Sequence, residues 1–136
     1  MIKDIVKDTF FLSRRAEDAT ADDSDIVRDL SDTYSANRMV CAGMAANMIG
    51  YNKRIIAVGM AGQVLIMLNP VITAKKDPYE AEEGCLSLKG LRRTTRYKEI
   101  TLEYQDRSLK KHTGTYKGYL AQVIQHEIDH CNGILI

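Results

Sequence analysis

Residues 54–68 read RIIAVGMAGQVLIML: two runs rich in β-branched and long apolar side chains, Arg54–Met60 and Gln63–Leu68, joined by Ala61-Gly62. A two-residue connection with glycine between such runs predicts a β-hairpin. Asn69-Pro70 then reads as the end of the second strand, because proline cannot donate to a ladder. Further strands fit Val71–Lys75, Cys85–Leu88, Arg92–Tyr97 and Ile100–Tyr104, the last alternating Ile100, Leu102 and Tyr104 with Thr101 and Glu103. Asp106-Arg107-Ser108 reads as a turn.

On either side of this strand-rich middle the period changes. From Asp22 the pattern predicts a helix, with Asp22, Asp23 and Ser24 as capping oxygens, an apolar stripe of Ile26, Val27, Leu30 and Tyr34, and a charged opposite face. An earlier helix fits Thr9–Glu17, although the consecutive Phe10, Phe11 and Leu12 also suit an irregular arm. After Gly118 the stripe of Leu120, Val123, Ile124 and Ile128 predicts a closing helix that Asn132-Gly133 stops, followed by a short terminal strand, 134–136. Helices at both ends of mostly antiparallel strands make an α+β fold, and 136 residues suit one domain, 1–136.

Composition narrows the partners. Nineteen Lys and Arg against eighteen Asp and Glu leave a formal charge of +1, so no electrostatic argument favours nucleic acid or an anionic membrane. The opening residues lack the apolar h-region of a secretory signal, and the apolar run Val64–Leu68 is far short of the ~18 residues of a membrane span. A cytoplasmic location follows as the expectation. The three cysteines, Cys41, Cys85 and Cys131, have no disulfide-framework spacing, which leaves free thiols or metal ligation.

The closing helix carries His126-Glu127-Ile128-Asp129-His130. Side chains four apart share a helix face, so both imidazoles reach one ion, while Glu127 lies about 100° round and addresses a water there. By itself the pattern also occurs by chance on surface helices, so a third ligand decides the matter. Asp129 points off that face, Cys131 follows His130 directly, and His112 reads as a solvent-facing polar residue. Cys85, in Glu82-Glu83-Gly84-Cys85-Leu86-Ser87, sits where Gly84 permits close backbone approach and Leu86 and Leu88 face the core. One thiolate and two imidazoles leave a coordination position open, as catalytic metal sites require.

With these residues in place, the sequence resembles the peptide deformylase family. That family shows Gly-x-Gly-Leu-Ala-Ala-x-Gln, Glu-Gly-Cys-Leu-Ser and Gln-His-Glu-x-Asp-His in fixed order, and residues 83–87 and 125–130 match the second and third without a change. The resemblance implies a hydrolase that removes the formyl group from the N-terminal methionine of newly made polypeptides. It implies Cys85, His126 and His130 as ligands of a divalent metal, ferrous iron in the cell, with zinc, nickel and cobalt also suited to the ligand set. Glu127 would take a proton from the attacking water and pass it to the departing amine, and the Leu86 N–H would help hold the oxyanion. Ala42, Gly43 and Gly84 would pair with the extended substrate backbone, and Tyr119 and Val123 would line a slot for the methionine thioether. The implied partners are formyl-methionyl nascent chains, met near the ribosome exit.

The first motif departs from the family pattern. Residues 41–48 align with it, but Cys41 replaces its first glycine and Met48 replaces its glutamine, the amide that the family uses on the oxyanion. Loss of one such donor costs about 2.7–4 kcal/mol in a transition state, so attenuated catalysis is expected. Asn47, one residue away, should project elsewhere. Lys89 stands where the family commonly has proline, beside the substrate. Cys41 reads either as a small residue packed in place of glycine or as an oxidisable thiol near the metal. The alternative to an enzyme is a weak or inactive deformylase-like protein that binds metal and peptide N-termini; the retained Glu127 argues for chemistry.

Overall fold

The computed structural model describes residues 1–136. Three α-helices, α1 (Thr9–Leu12), α2 (Ser24–Asn37) and α3 (Gly118–Cys131), accompany five strands: β1 (Gly43–Ala45), β2 (Ile55–Met60), β3 (Gln63–Cys85), β4 (Leu88–Gln105) and β5 (Lys111–Lys117). The strands form one antiparallel sheet in the order β1-β2-β3-β4-β5. The α+β expectation holds.

The β2–β3 hairpin forms as its sequence predicts. Met60 pairs with Gln63 across Ala61 and Gly62, both at positive φ (52° and 79°), the twist that a two-residue hairpin needs. Pro70, however, does not end the strand. β3 runs on to Cys85, because the register slips between Leu68 and Val71 and so relieves Pro70 of ladder duty. Asn69, at φ 53°, anchors this bulge: its side chain bonds both the N–H and the carbonyl of Ala19 and donates to Gln105. The separate short strands expected at Val71–Lys75, Arg92–Tyr97 and Ile100–Tyr104 are therefore parts of two long ones. Cys85–Leu88 is no strand but the hairpin between them: Cys85 pairs with Leu88, and Leu86 and Ser87 make the turn. Strands β1 and β5 have no counterpart in the sequence reading.

At the N-terminal side, α1 spans only Thr9–Leu12 rather than reaching Glu17. A 3-10 turn, Ala21–Asp23, precedes α2, with Thr20 accepting from the Asp22 N–H and Asp23 bonding back to the Thr20 N–H. The capping thus lies one turn earlier than expected. On α2, Val27, Leu30 and Tyr34 enter the core, but so do Thr33 and Asp29, which takes the Tyr51 hydroxyl. The predicted charged face is breached at that acid.

Helix α3 lies against the sheet, its buried face running from Ala121 to Cys131. Gln125 docks it: the side-chain amide accepts from the Tyr97 N–H and donates to the Tyr97 carbonyl, both at 2.9 Å, as a neighbouring strand does. The helix stops at Asn132-Gly133 as predicted. Gly133 has φ 75°, and a Cβ there would stand 2.4 Å from the Ser13 carbonyl, so only glycine fits. Beyond it, residues 134–136 form no strand, although Ile136 is buried.

Candidate active site

Two neighbouring elements bring the site together. Helical spacing puts His126 and His130 one above the other on α3, and the β3–β4 turn lowers Cys85 onto them. The His130 Nε2 lies 3.2 Å from the His126 Nε2 and 3.3 Å from the Cys85 Sγ, and one ligand atom from each residue falls within 4.8 Å of the others. His126 and His130 are buried, and Cys85 is half-buried. The Ser87 N–H points at the Cys85 sulfur at 3.5 Å.

The sequence reading missed what aims His126. Glu83 accepts at 2.8 Å on His126 Nδ1, which turns the Nε2 lone pair toward the thiol. Glu83 is itself held by Arg96 through bonds of 2.9 and 2.7 Å and by Gln122 at 2.9 Å, while Arg96 also grips Asp129 at 2.7 Å. Burial works to raise the Glu83 pKa, but the bonds from His126, Arg96 and Gln122 win and hold it at about 2. A carboxylate two residues before the candidate ligand thiol of Cys85 was the available signal for Glu83. Arg96 had none, since only the β3–β4 register brings it there.

The two imidazoles are driven apart. Burial lowers His126, yet the bonds with Cys85 and Glu83 raise it to about 10; burial and the neighbouring His126 push His130 down to about 3. Burial also raises Glu127 to about 7, and its Oε1 has no hydrogen-bond partner. Gly43 makes room for that carboxylate: a Cβ at 43 would stand 3.1 Å from Glu127 Oε2 and 2.7 Å from Val123 Cγ1.

A cleft of about 670 Å³ opens over this group. Cys85, His126 and Glu127 reach it, whereas His130 is fully buried beneath. Ala42 and Gly43 line one side and Gly84 and Leu86 another, with Tyr119 and Val123 contributed by α3. Every expected site residue except His130 thus borders one cavity. Met48 borders it too, its sulfur taking the Ala45 N–H at 3.4 Å. Asn47 turns away and donates to the His130 carbonyl at 2.9 Å, as its position predicted.

The remaining candidates stand outside the three-residue group. Cys41 lines the cleft, but its thiol bonds the Asn37 carbonyl, and burial pushes it up to about 11. Burial likewise takes Cys131 to about 12. Asp129 serves Arg96, and His112 pairs with Asp106 at 2.7 Å and stacks on Tyr104.

Comparison with known proteins agrees with this arrangement. The family model described as polypeptide deformylase matches residues 2–136. A peptide deformylase of Clostridium beijerinckii is 49% identical over 136 residues, covering 100% of both chains, and one of Pelotomaculum thermopropionicum is 38% identical over 91% of this chain and 81% of its own. Among solved structures, the Legionella pneumophila peptide deformylase superposes with a TM-score of 0.89 at 33% identity, covering 99% of this chain and 83% of that one. The Thermotoga maritima enzyme gives 0.88 at 27% identity, covering 99% and 95%. Relatives named as peptide deformylases support the enzymatic reading over a binding module. On the full-length family match and the full-length relative, the chain belongs to the polypeptide deformylase family.

Proposed function

We propose that residues 1–136 form one domain that hydrolyses the formyl group from N-formyl-methionine at the start of newly made polypeptides. The carrying observation is the convergence of Cys85, His126 and His130 beside the unbonded carboxylate of Glu127, at the floor of an open cleft.

The donor set fits a divalent metal. With the His126 Nδ1–H given to Glu83, the Nε2 lone pair faces the His130 Nε2 and the Cys85 sulfur, a crowding that a shared cation relieves. A divalent ion there supplies Lewis acidity, polarising the formyl carbonyl and making water ionise near neutral pH. One thiolate and two imidazoles accept ferrous iron, zinc, nickel or cobalt, and we take ferrous iron as the cellular ion on the family resemblance.

The protein groups divide the remaining work. Glu127 accepts a proton from the attacking water and delivers it to the amine as the C–N bond breaks, giving formate and a free N-terminal methionine. The Leu86 N–H donates to the developing oxyanion, while Met48 offers it no donor. Ala42, Gly43 and Gly84 hold the substrate backbone, and Tyr119 and Val123 receive the methionine side chain. The substrates are nascent chains in the cytoplasm, met near the ribosome exit; no helix here is long and apolar enough to cross a membrane.

Anaerobic purification, metal analysis and a formate-release assay on formyl-Met peptides test this reading. The iron-loaded wild type should release formate, Glu127→Ala should retain metal but lose turnover, and Cys85→Ser should lose metal. An iron-loaded wild type that releases no formate overturns it.

A further inference from the structure

Four of the ten large apolar side chains exposed on this molecule surround one opening. Met39 is 92% exposed and Val40 69%, both on the loop between α2 and β1 and both lining the cleft. Tyr119, 70% exposed, stands at the start of α3 and lines the same cleft. Leu91, 69% exposed, comes from β4, and its side chain covers Gly84 on the cleft wall, 3.3 Å from where a Cβ would be. Three separate elements therefore present unpartnered apolar surface at the mouth of the metal cleft. Exposed apolar surface around a concave site marks a binding surface.

We propose that Met39, Val40 and Leu91 form an apolar collar that seats the residues following methionine, so that this deformylase favours N-termini whose second and third residues are apolar. The inference rests on the deformylase reading and names the substrate class within it. The occupant follows from continuity: Tyr119 belongs to both the methionine slot and the mouth, so a chain anchored there by its first residue passes the collar with its next two. Charge at the mouth has no single sign, because Arg38 and Glu82 both line it and Glu83 is paired with Arg96. What remains is non-directional apolar contact, which selects by hydrophobicity rather than by shape.

The test compares formyl-Met-Leu-Leu and formyl-Met-Ser-Ser peptides in formate release, and the deformylated Met-Leu-Leu and Met-Ser-Ser peptides in calorimetric binding. In the wild type the leucine peptides should lead about tenfold, carried by KM and by Kd, the scale of partly buried leucine side chains. In a Met39→Ser/Val40→Ser double variant both ratios should fall to about threefold or less, while Phe10→Ser, an exposed apolar residue elsewhere, keeps the wild-type ratios. Equal handling of the two peptides by the wild type, or a preference that survives both the double variant and Leu91→Ser, overturns the collar. Absence of formate with the binding preference intact overturns the deformylase reading and leaves the collar standing.

Discussion

Glu83 and His126 are joined by a 2.8 Å contact between carboxylate and Nδ1, and that carboxylate is clamped from behind by Arg96. The contact sets the tautomer and heading of the imidazole before any ion arrives. Asp129 on the far side of Arg96 extends the clamp back to α3, so the strand that carries Cys85 and the helix that carries both histidines share one buried ionic bridge. Such outer partners normally contribute ten- to a hundredfold to metal affinity.

Glu83→Gln removes the charge while keeping the length of the side chain. Metal affinity, measured by competition with a chelator, should fall about ten- to a hundredfold. Arg96 then keeps only Asp129, so the urea midpoint should fall as well; an unchanged affinity would deny Glu83 its aiming role.

Gly43→Ala tests the close approach of β1 to α3. The added Cβ meets Val123 Cγ1 at 2.7 Å and Glu127 at 3.1 Å, so Val123 must leave its place or the strand must shift. A loss of about 1–3 kcal/mol in denaturant unfolding is expected, the usual cost of overpacking. Turnover should fall beyond what the stability change explains, because the added methyl also crowds Glu127 at 3.1 Å.

Met48→Gln restores the amide that the family pattern carries at this position. At this cleft position an amide should raise kcat with little change in KM, with a ceiling of about a hundred- to a thousandfold. Formate release on one peptide series is the measurement. A variant no faster than wild type would mean that the Leu86 N–H and the ion already hold the oxyanion fully.

Asp106 should make stability depend on acid pH. The His112 hydrogen bond, with the backbone N–H groups of Lys110 and Ser108, holds its carboxyl below the ordinary range. A pKa lowered on folding contributes stability above about pH 4 and loses it as pH falls through the folded value. Thermal melts should show Asp106→Asn less stable than wild type at pH 7, with the difference closing in strong acid.

Local spacing carried the parts of this molecule that depend on nearest neighbours. The i, i+4 histidines, the Ala61-Gly62 hairpin, the Gly133 stop and the grouping of Cys85 with His126 and His130 were legible because each is decided within a few residues, or by residue chemistry alone. The strands were misjudged where a distant partner decides. Pro70 looked like a terminus, but Asn69 fastens the bulge to Ala19 and Gln105, residues remote in sequence. Strand β5, Lys111-His-Thr-Gly-Thr-Tyr-Lys117, has little apolar alternation to announce it and exists because β4 offers an edge.

From the sequence alone came the Cys/His/His group and the Glu127 carboxylate beside it, since these are properties of side chains and of local spacing, and the departures in residues 41–48, since these show against the family pattern. Tertiary structure alone decided which groups orient them: Arg96 reaches Glu83 through the β3–β4 register, and β1 approaches Glu127 across the bare face of Gly43. Pairing register and strand–helix approach sum many weak contacts between segments far apart in the chain, and no local pattern encodes that sum.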